Sequence, residues 1–135
     1  MRYLLDTNVV SETRKRRAAP ELMAFLRELA SDSTHISVLT LGELRRGVVL
    51  KQGASPALAE EFAAWLLAIE QDFDGRTLPV TAEIAHRWGE MSSDRTRPVT
   101  DTLIAATASV HDLTVVTRNE RDYRDLGVRV VNPWR

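Results

Sequence analysis

RYLLDTNVVSE, residues 2–12, is the stretch whose reading decides the fold. Residues 2–5 form a short apolar run that reads as a buried strand, and the run ends on a carboxylate, Asp6. Thr7 and Asn8 follow, then Val9 and Val10, then Ser11 and Glu12. A charge at the end of a buried strand is costly unless something pairs with it. Two uses of Asp6 are open. It is the Asx-turn or N-cap acid of a helix beginning near Val9, or it faces a cation.

Working outward, the chain alternates short apolar runs with helical patterns. "SETRKRR" reads as a first helix turn and a loop. Pro20 suits a helix start, and Leu22, Phe25, Leu26 and Leu29 supply one apolar face at helical spacing. "HISVL", 35–39, is the second strand, followed by a helix from about Thr40 that stops at Gly53. Pro56 opens another helix, striped by Leu58, Phe62, Trp65, Leu66 and Ile69. "TLPV", 77–80, is a third strand, and 82–92 is a helix with Ile84, Ala85, Trp88 and Met91 on one side. "TDTLIAATASVHD", 100–112, is a helix apolar nearly all round and so expected to be buried. "TVVT", 114–117, is a fourth strand, "RNERDYRDLG" a loop or short helix, and "VRVVN", 128–132, a last strand. Strands alternating with helices predict an α/β fold, three layers deep (α/β/α), around a mostly parallel sheet of four to five strands. With 135 residues and no linker, repeat or low-complexity tract, residues 1–135 read as a single domain.

Composition excludes several classes. No apolar run approaches the ~20 residues that span a bilayer, so no membrane partner is expected. The chain enters a strand without an apolar signal segment. There is no cysteine, which rules out disulfides, thiolate metal sites and a cysteine nucleophile and fits a reducing compartment; the expected location is cytoplasmic. Net charge is −1, yet sixteen of the eighteen basic residues are Arg. Arg grips phosphate and carboxylate through a fork, so a near-neutral total is compatible with a basic rim around an acidic centre. Arg richness also follows from a GC-rich genome, and composition alone does not separate the two.

Parallel sheets place their sites in a crevice at the carboxyl ends of the strands. Asp6 ends the first strand, Glu43 lies in the first turns of the helix after the second, Asp101 opens the buried helix, and Asn119 and Asp122 follow the fourth strand. Each acid has a simpler use alone: Asp6 as a cap, Glu43 as a partner of Arg45 or Arg46, Asp101 as a complement to the helix dipole, Asp122 as a surface acid. Thr7 and Thr117 could cap or hydrogen-bond. Together the acids fall on one sheet edge, where like charges raise one another's pKa. Oxygen ligands without Cys or His suit a hard cation, Mg²⁺ or Mn²⁺, which polarises a phosphoryl oxygen and activates water for in-line attack.

"LLDTNVVSE", "ISVLTLGELRRG", "DTLIAATA" and "VVTRNERDY" together resemble the PIN-domain ribonucleases, nearest to the VapC/FitB-like toxins of type II toxin–antitoxin modules. The resemblance runs from Met1 to Trp134. It implies catalytic and metal-site positions at Asp6, Glu43 and Asp101, with a fourth in "TRNERD". Asn119 stands there where many relatives carry an acid, and Asp122 is the nearest carboxylate, so either fills the fourth position, directly or through water. Thr7 matches the hydroxyl residue that follows the first acid. The resemblance further implies Mg²⁺-dependent cleavage of structured RNA such as tRNA, with Mn²⁺ able to substitute. It implies a homodimer, and a VapB/FitA-like antitoxin that wraps an apolar groove in a toxin–antitoxin hetero-oligomer.

Arg14, Lys15, Arg16 and Arg17 form the densest basic run and could hold RNA phosphates beside the metal. Arg45, Arg46, Arg95 and Arg97 could extend that rim. Phe62, Trp65 and Trp88 fall on apolar stripes and are expected to pack rather than stack on bases. His35, His86 and His111 show no metal spacing. Two other classes place an Asp after a strand. A phosphoacceptor receiver needs an acidic pair and a Lys after its last core strand, and a dehalogenase-like phosphatase needs Asp two residues on, where this chain has Asn8. A catalytically weak RNA- or partner-binding module on the same fold is the remaining alternative, motivated by Asn119.

Overall fold

The computed structural model describes residues 1–135. Five strands, β1 (Tyr3–Leu5), β2 (Thr34–Ser37), β3 (Thr77–Leu78), β4 (Thr114–Val116) and β5 (Val130–Val131), form one sheet in the order β3-β2-β1-β4-β5. Every pairing is parallel, including Leu4 against Val115 and Leu5 against Val116. The helices are α1 (Thr7–Thr13), α2 (Pro20–Arg27), α3 (Val38–Gln52), α4 (Pro56–Asp72), α5 (Ala82–Met91) and α6 (Val99–His111). No helix is long and apolar enough to cross a membrane.

Side chains alternate across a strand, and that alternation builds the three layers. Leu5 and Val116 face one cluster with residues of α1, α2, α3 and α4, including Val9, Leu22, Leu44 and Phe62. Leu4 and Val115 face the opposite cluster with Ile104, Ala105 and Ala108 of α6 and with Tyr123. The expected three-layer α/β/α fold is what forms, with the sheet fully rather than mostly parallel.

Some boundaries differ from the sequence expectation. The first helix is longer than one turn: it starts at Thr7 because Asp6 caps it, not near Val9. The strand expected over 77–80 pairs only through Thr77 and Leu78, since Pro79 has no N–H for a ladder. The last strand narrows to Val130–Val131. The buried helix is as expected. Its inward threonines return their hydroxyl protons to the preceding turn, Thr102 to the Pro98 carbonyl at 2.7 Å and Thr107 to that of Leu103 at 2.8 Å. No buried hydroxyl there is left without an acceptor. At the α3–α4 hairpin, a Cβ on Gly47 would come 3.2 Å from the Phe62 ring, so glycine allows the close approach.

The strand order reverses at β1. The chain builds outward through β2 and β3, then returns to lay β4 and β5 on the other side. The crevice of such a sheet lies where the order reverses, at the carboxyl ends of the two central strands. Asp6 follows β1 there, and Thr117 follows β4.

Candidate active site

Asp6 is 5 % exposed and held on three sides. Its backbone N–H donates to the Val116 carbonyl at 3.1 Å, which extends the β1–β4 ladder. One carboxylate oxygen accepts the Val9 N–H at 2.9 Å as the α1 N-cap. The other accepts the hydroxyl of Thr117. Thr117 in turn accepts the Asn119 backbone N–H at 3.0 Å, so the loop after β4 is tied to the acid after β1. Burial pushes the Asp6 carboxyl above its ordinary value; the hydrogen bonds from Thr117 and Val9 oppose that, and the Glu43 charge adds to it. The cap and the site are thus one arrangement: the contacts that cap α1 also fix the carboxylate at the end of β1.

Glu43 arrives from α3. Its carboxylate accepts the Thr7 hydroxyl at 2.5 Å and not a guanidinium of Arg45 or Arg46. Thr7 lies 3.0 Å from the hydroxyl of Thr40, one turn earlier on α3. Thr40 is fully buried, and sequence reading missed it, because its use depends on α1 and α3 meeting in space.

Asp101 sits half-buried in the first turn of α6. A helix N-terminus favours an anion, yet the Asp101 carboxyl is pushed up to about 6. Burial is the first cause, followed by the charges of Asp122, Glu43 and Asp6. Those causes locate the convergence: carboxylates from three other segments act on this one group. Asp122 is carried by the 3₁₀ turn Glu120–Tyr123, whose entry is Asn119. Asn119 itself lines a polar cleft with Arg118, Asn8 and Ser11. No three acidic or histidine side chains stand at closed metal-ligand spacing. The donor set, all hard oxygen with mutual repulsion still unrelieved, is the chemistry that a Mg²⁺-like cation fits.

The basic residues divide. Arg14 places its guanidinium 4.5 Å over the Phe62 ring, and Lys51 approaches the same ring at 5.7 Å. Both line a cleft of about 560 Å³ with Arg46, Glu43 and Thr7, so Arg14, Arg46 and Lys51 share that cleft with one of the four acids, Glu43. Lys15 instead pairs with Glu12 at 2.9 Å. Glu12 also accepts the Ala19 N–H at 3.0 Å, and those contacts hold its carboxyl below the usual range, the Lys15 hydrogen bond first. Glu12 therefore pins the α1–α2 loop. Arg16 and Arg17 are exposed on that loop. Arg97, expected on the rim, is turned in: it is paired with Asp94 at 2.7 Å and its side chain is 7 % exposed. A second polar cleft beyond Asp122 is lined by Arg118, Arg121, Arg124 and Arg135. Sequence reading missed these four because Arg118, Arg121 and Arg124 are interleaved with acids and Arg135 stands alone after Trp134, so they show no run. Phe62 and Trp65 pack edge to face at 5.6 Å, as the helical stripe implies, and no His enters the site.

A parallel α/β sheet with carboxylates gathered where the strand order reverses defines a class of α/β domains with an acidic crevice. Similarity to known proteins narrows it. The PIN-domain family profile matches residues 3–128. Toxin FitB of Neisseria gonorrhoeae is 33% identical over 138 residues, covering 97% of each chain. VapC ribonuclease Y4jK of Sinorhizobium fredii is 27% identical, covering 97% of this chain and 96% of its own. Among solved structures, FitAcB from Neisseria gonorrhoeae superposes with a TM-score of 0.83 at 33% identity, covering 98% of both chains. The chain belongs to the PIN-domain family.

Proposed function

We propose that this protein is a Mg²⁺- or Mn²⁺-dependent endoribonuclease and the toxin half of a type II toxin–antitoxin pair. The observation that carries the reading is Asp101, driven to about 6 in part by Asp122, Glu43 and Asp6. Isolated helix-capping acids do not act on one another in this way.

Asp6, Glu43, Asp101 and Asp122 would hold the cation. When bound, it supplies charge stabilisation to a phosphodiester and lowers the pKa of a water. The chain's own groups prepare that event. Thr117 and the Val9 N–H fix the Asp6 carboxylate, and Thr7 fixes Glu43. Arg14, Arg46 and Lys51 on one side, and Arg118, Arg121 and Arg124 on the other, offer phosphate contacts along two clefts that open toward the acids. Arg16 and Arg17 extend the first of these. Asp122 is the fourth acid in this reading and Asn119 a support, because the charge of Asp122 reaches Asp101 first among the neighbouring acids.

The named relatives support both halves of the proposal. One is called a toxin and another a ribonuclease, and FitAB has been solved bound to a DNA fragment. A cognate antitoxin would lay an apolar segment in the cleft of about 340 Å³ lined by Val10, Leu26, Leu29, Ile69 and Phe73. A homodimer completes the expected assembly, with cytoplasmic RNA as substrate.

The test is cleavage of structured RNA, tRNA included, by purified protein with Mg²⁺, with Mn²⁺ and with EDTA. Cleavage that needs the cation and is lost in both Asp6→Asn and Asp101→Asn, each still folded, is expected. Cleavage that survives EDTA or both substitutions sinks the reading. RNA binding without cleavage would favour the binding-module alternative.

A further inference from the structure

Tyr123 closes the 3₁₀ turn that carries Asp122, and it is 2 % exposed. It belongs to the buried cluster that also holds Leu4, Ile104 and Ala105. Leu4 precedes Asp6 by two residues on β1. Ile104 and Ala105 follow Asp101 by one helical turn on α6, on the face that Asp101 shares. The ring therefore shares its cluster with residues of the two elements, β1 and α6, that lead into Asp6 and follow Asp101. Its hydroxyl is shut off from solvent and has no hydrogen-bond partner. Burial pushes the phenol far above its ordinary value, and the charges of Asp6, Asp101, Asp122 and Glu43 push it further. A phenol is protonated at neutral pH, so the group is a hydrogen-bond donor.

The acceptors have a matching gap. Asp6 receives the Val9 N–H and the Thr117 hydroxyl, and Glu43 receives the Thr7 hydroxyl. Nothing in the protein donates to Asp101, although it is half-buried. A buried polar group without a partner costs more than a made hydrogen bond contributes. Donor and acceptor, both without partners, thus sit on two elements that pack together, the 3₁₀ turn and α6.

We propose that Tyr123 is a positioning residue whose hydroxyl donates to the Asp101 carboxylate and holds it in the geometry in which Asp101 and Asp6 share a divalent cation. Thr117 performs the same service for Asp6 across the β1–β4 edge. The inference rests on the metal reading above and adds to it the residue that orients the acid left without a donor. Partners of this kind set ligand orientation and tune affinity.

The test is Mn²⁺ binding by isothermal titration calorimetry on the full chain, wild type against Tyr123→Phe, with apo melting temperatures of both. The substitution removes one oxygen and keeps the ring. Mn²⁺ affinity is expected to fall by about 10-fold, while the apo melting temperature holds or rises because a buried donor without a partner has gone. A tyrosine ultraviolet difference signal on Mn²⁺ addition, present in the wild type and absent in Tyr123→Phe, reports the new hydrogen bond. Affinity within twofold of wild type overturns the inference and leaves the metal site standing, as does a lowered apo melting temperature with affinity unchanged. Failure of the wild type itself to bind Mn²⁺ overturns both.

Discussion

The Thr117 hydroxyl donates to the Asp6 carboxylate across the β1–β4 edge, joining residues 111 positions apart in the chain. This hydrogen bond lies where the strand order reverses, and it makes a helix cap into a candidate ligand by holding one carboxylate oxygen while Val9 holds the other.

Thr117→Val keeps the shape and removes the donor. Asp6 then stays buried with one fewer partner, a loss of about 1–3 kcal/mol in unfolding free energy. The shortfall should appear in urea denaturation at pH 7 and shrink as pH falls and Asp6 protonates. RNA cleavage should drop by about 10-fold or more, on the scale seen for supports of metal ligands. A variant as stable and as active as wild type would show that the hydrogen bond is incidental.

Asp101 gives a pH dependence with a definite sign. Its folded pKa, about 6, stands above the ordinary 3.8. Between these values the folded state holds more proton than the unfolded one, so this group makes the metal-free protein lose stability as pH rises from about 4 to about 6. Asp6, also pushed up by burial, acts in the same direction. Melting temperature in EDTA should therefore fall across that window, and Asp101→Asn should flatten the slope and raise the plateau at neutral pH. Divalent cation should reverse the loss above pH 6, by about 2.7 kcal/mol at a hundred times its Kd. A curve at pH 7 indifferent to millimolar Mn²⁺ would argue that the acids do not form a site.

The clefts make a prediction about salt. Arg46→Glu and Lys51→Glu should weaken RNA binding across sequences alike. Each should lower the slope of log affinity against log salt by about one for every phosphate that its cation neutralises. Binding measured by fluorescence anisotropy between low and moderate salt reads this directly. Lys15→Glu should matter less for RNA, since Lys15 already pairs with Glu12. Equal effects at all three positions would mean that general charge, and not the cleft, attracts the RNA.

The layers and the acids were legible in the chain because period and position carry them. Leu4 and Leu5 alternate to opposite faces, and the apolar helix 100–112 had to be buried. Each acid followed a strand or opened a helix. What escaped depended on segments distant in the chain coming together. Thr40 acquires a use only when α1 meets α3, and Tyr123 reads as one aromatic in a loop until the fold buries it in the cluster it shares with α6. Arg97 is a local exception: it reads as a free cation, although Asp94, only three residues earlier, pairs with it. The ends of β3 and β5 escaped for a different cause: short edge strands are decided by which N–H groups find carbonyls, and Pro79 supplies none.

The central claim is that Asp6, Glu43, Asp101 and Asp122 hold one divalent-cation site at the reversal of strand order. Anomalous diffraction from crystals of the protein soaked in Mn²⁺ tests it most directly. A peak within coordination distance of Asp6 and Asp101, absent from Asp101→Asn crystals, is the predicted result. Well-ordered crystals with no peak there, or with Mn²⁺ bound only at surface acids such as Glu60 or Glu83, would contradict it.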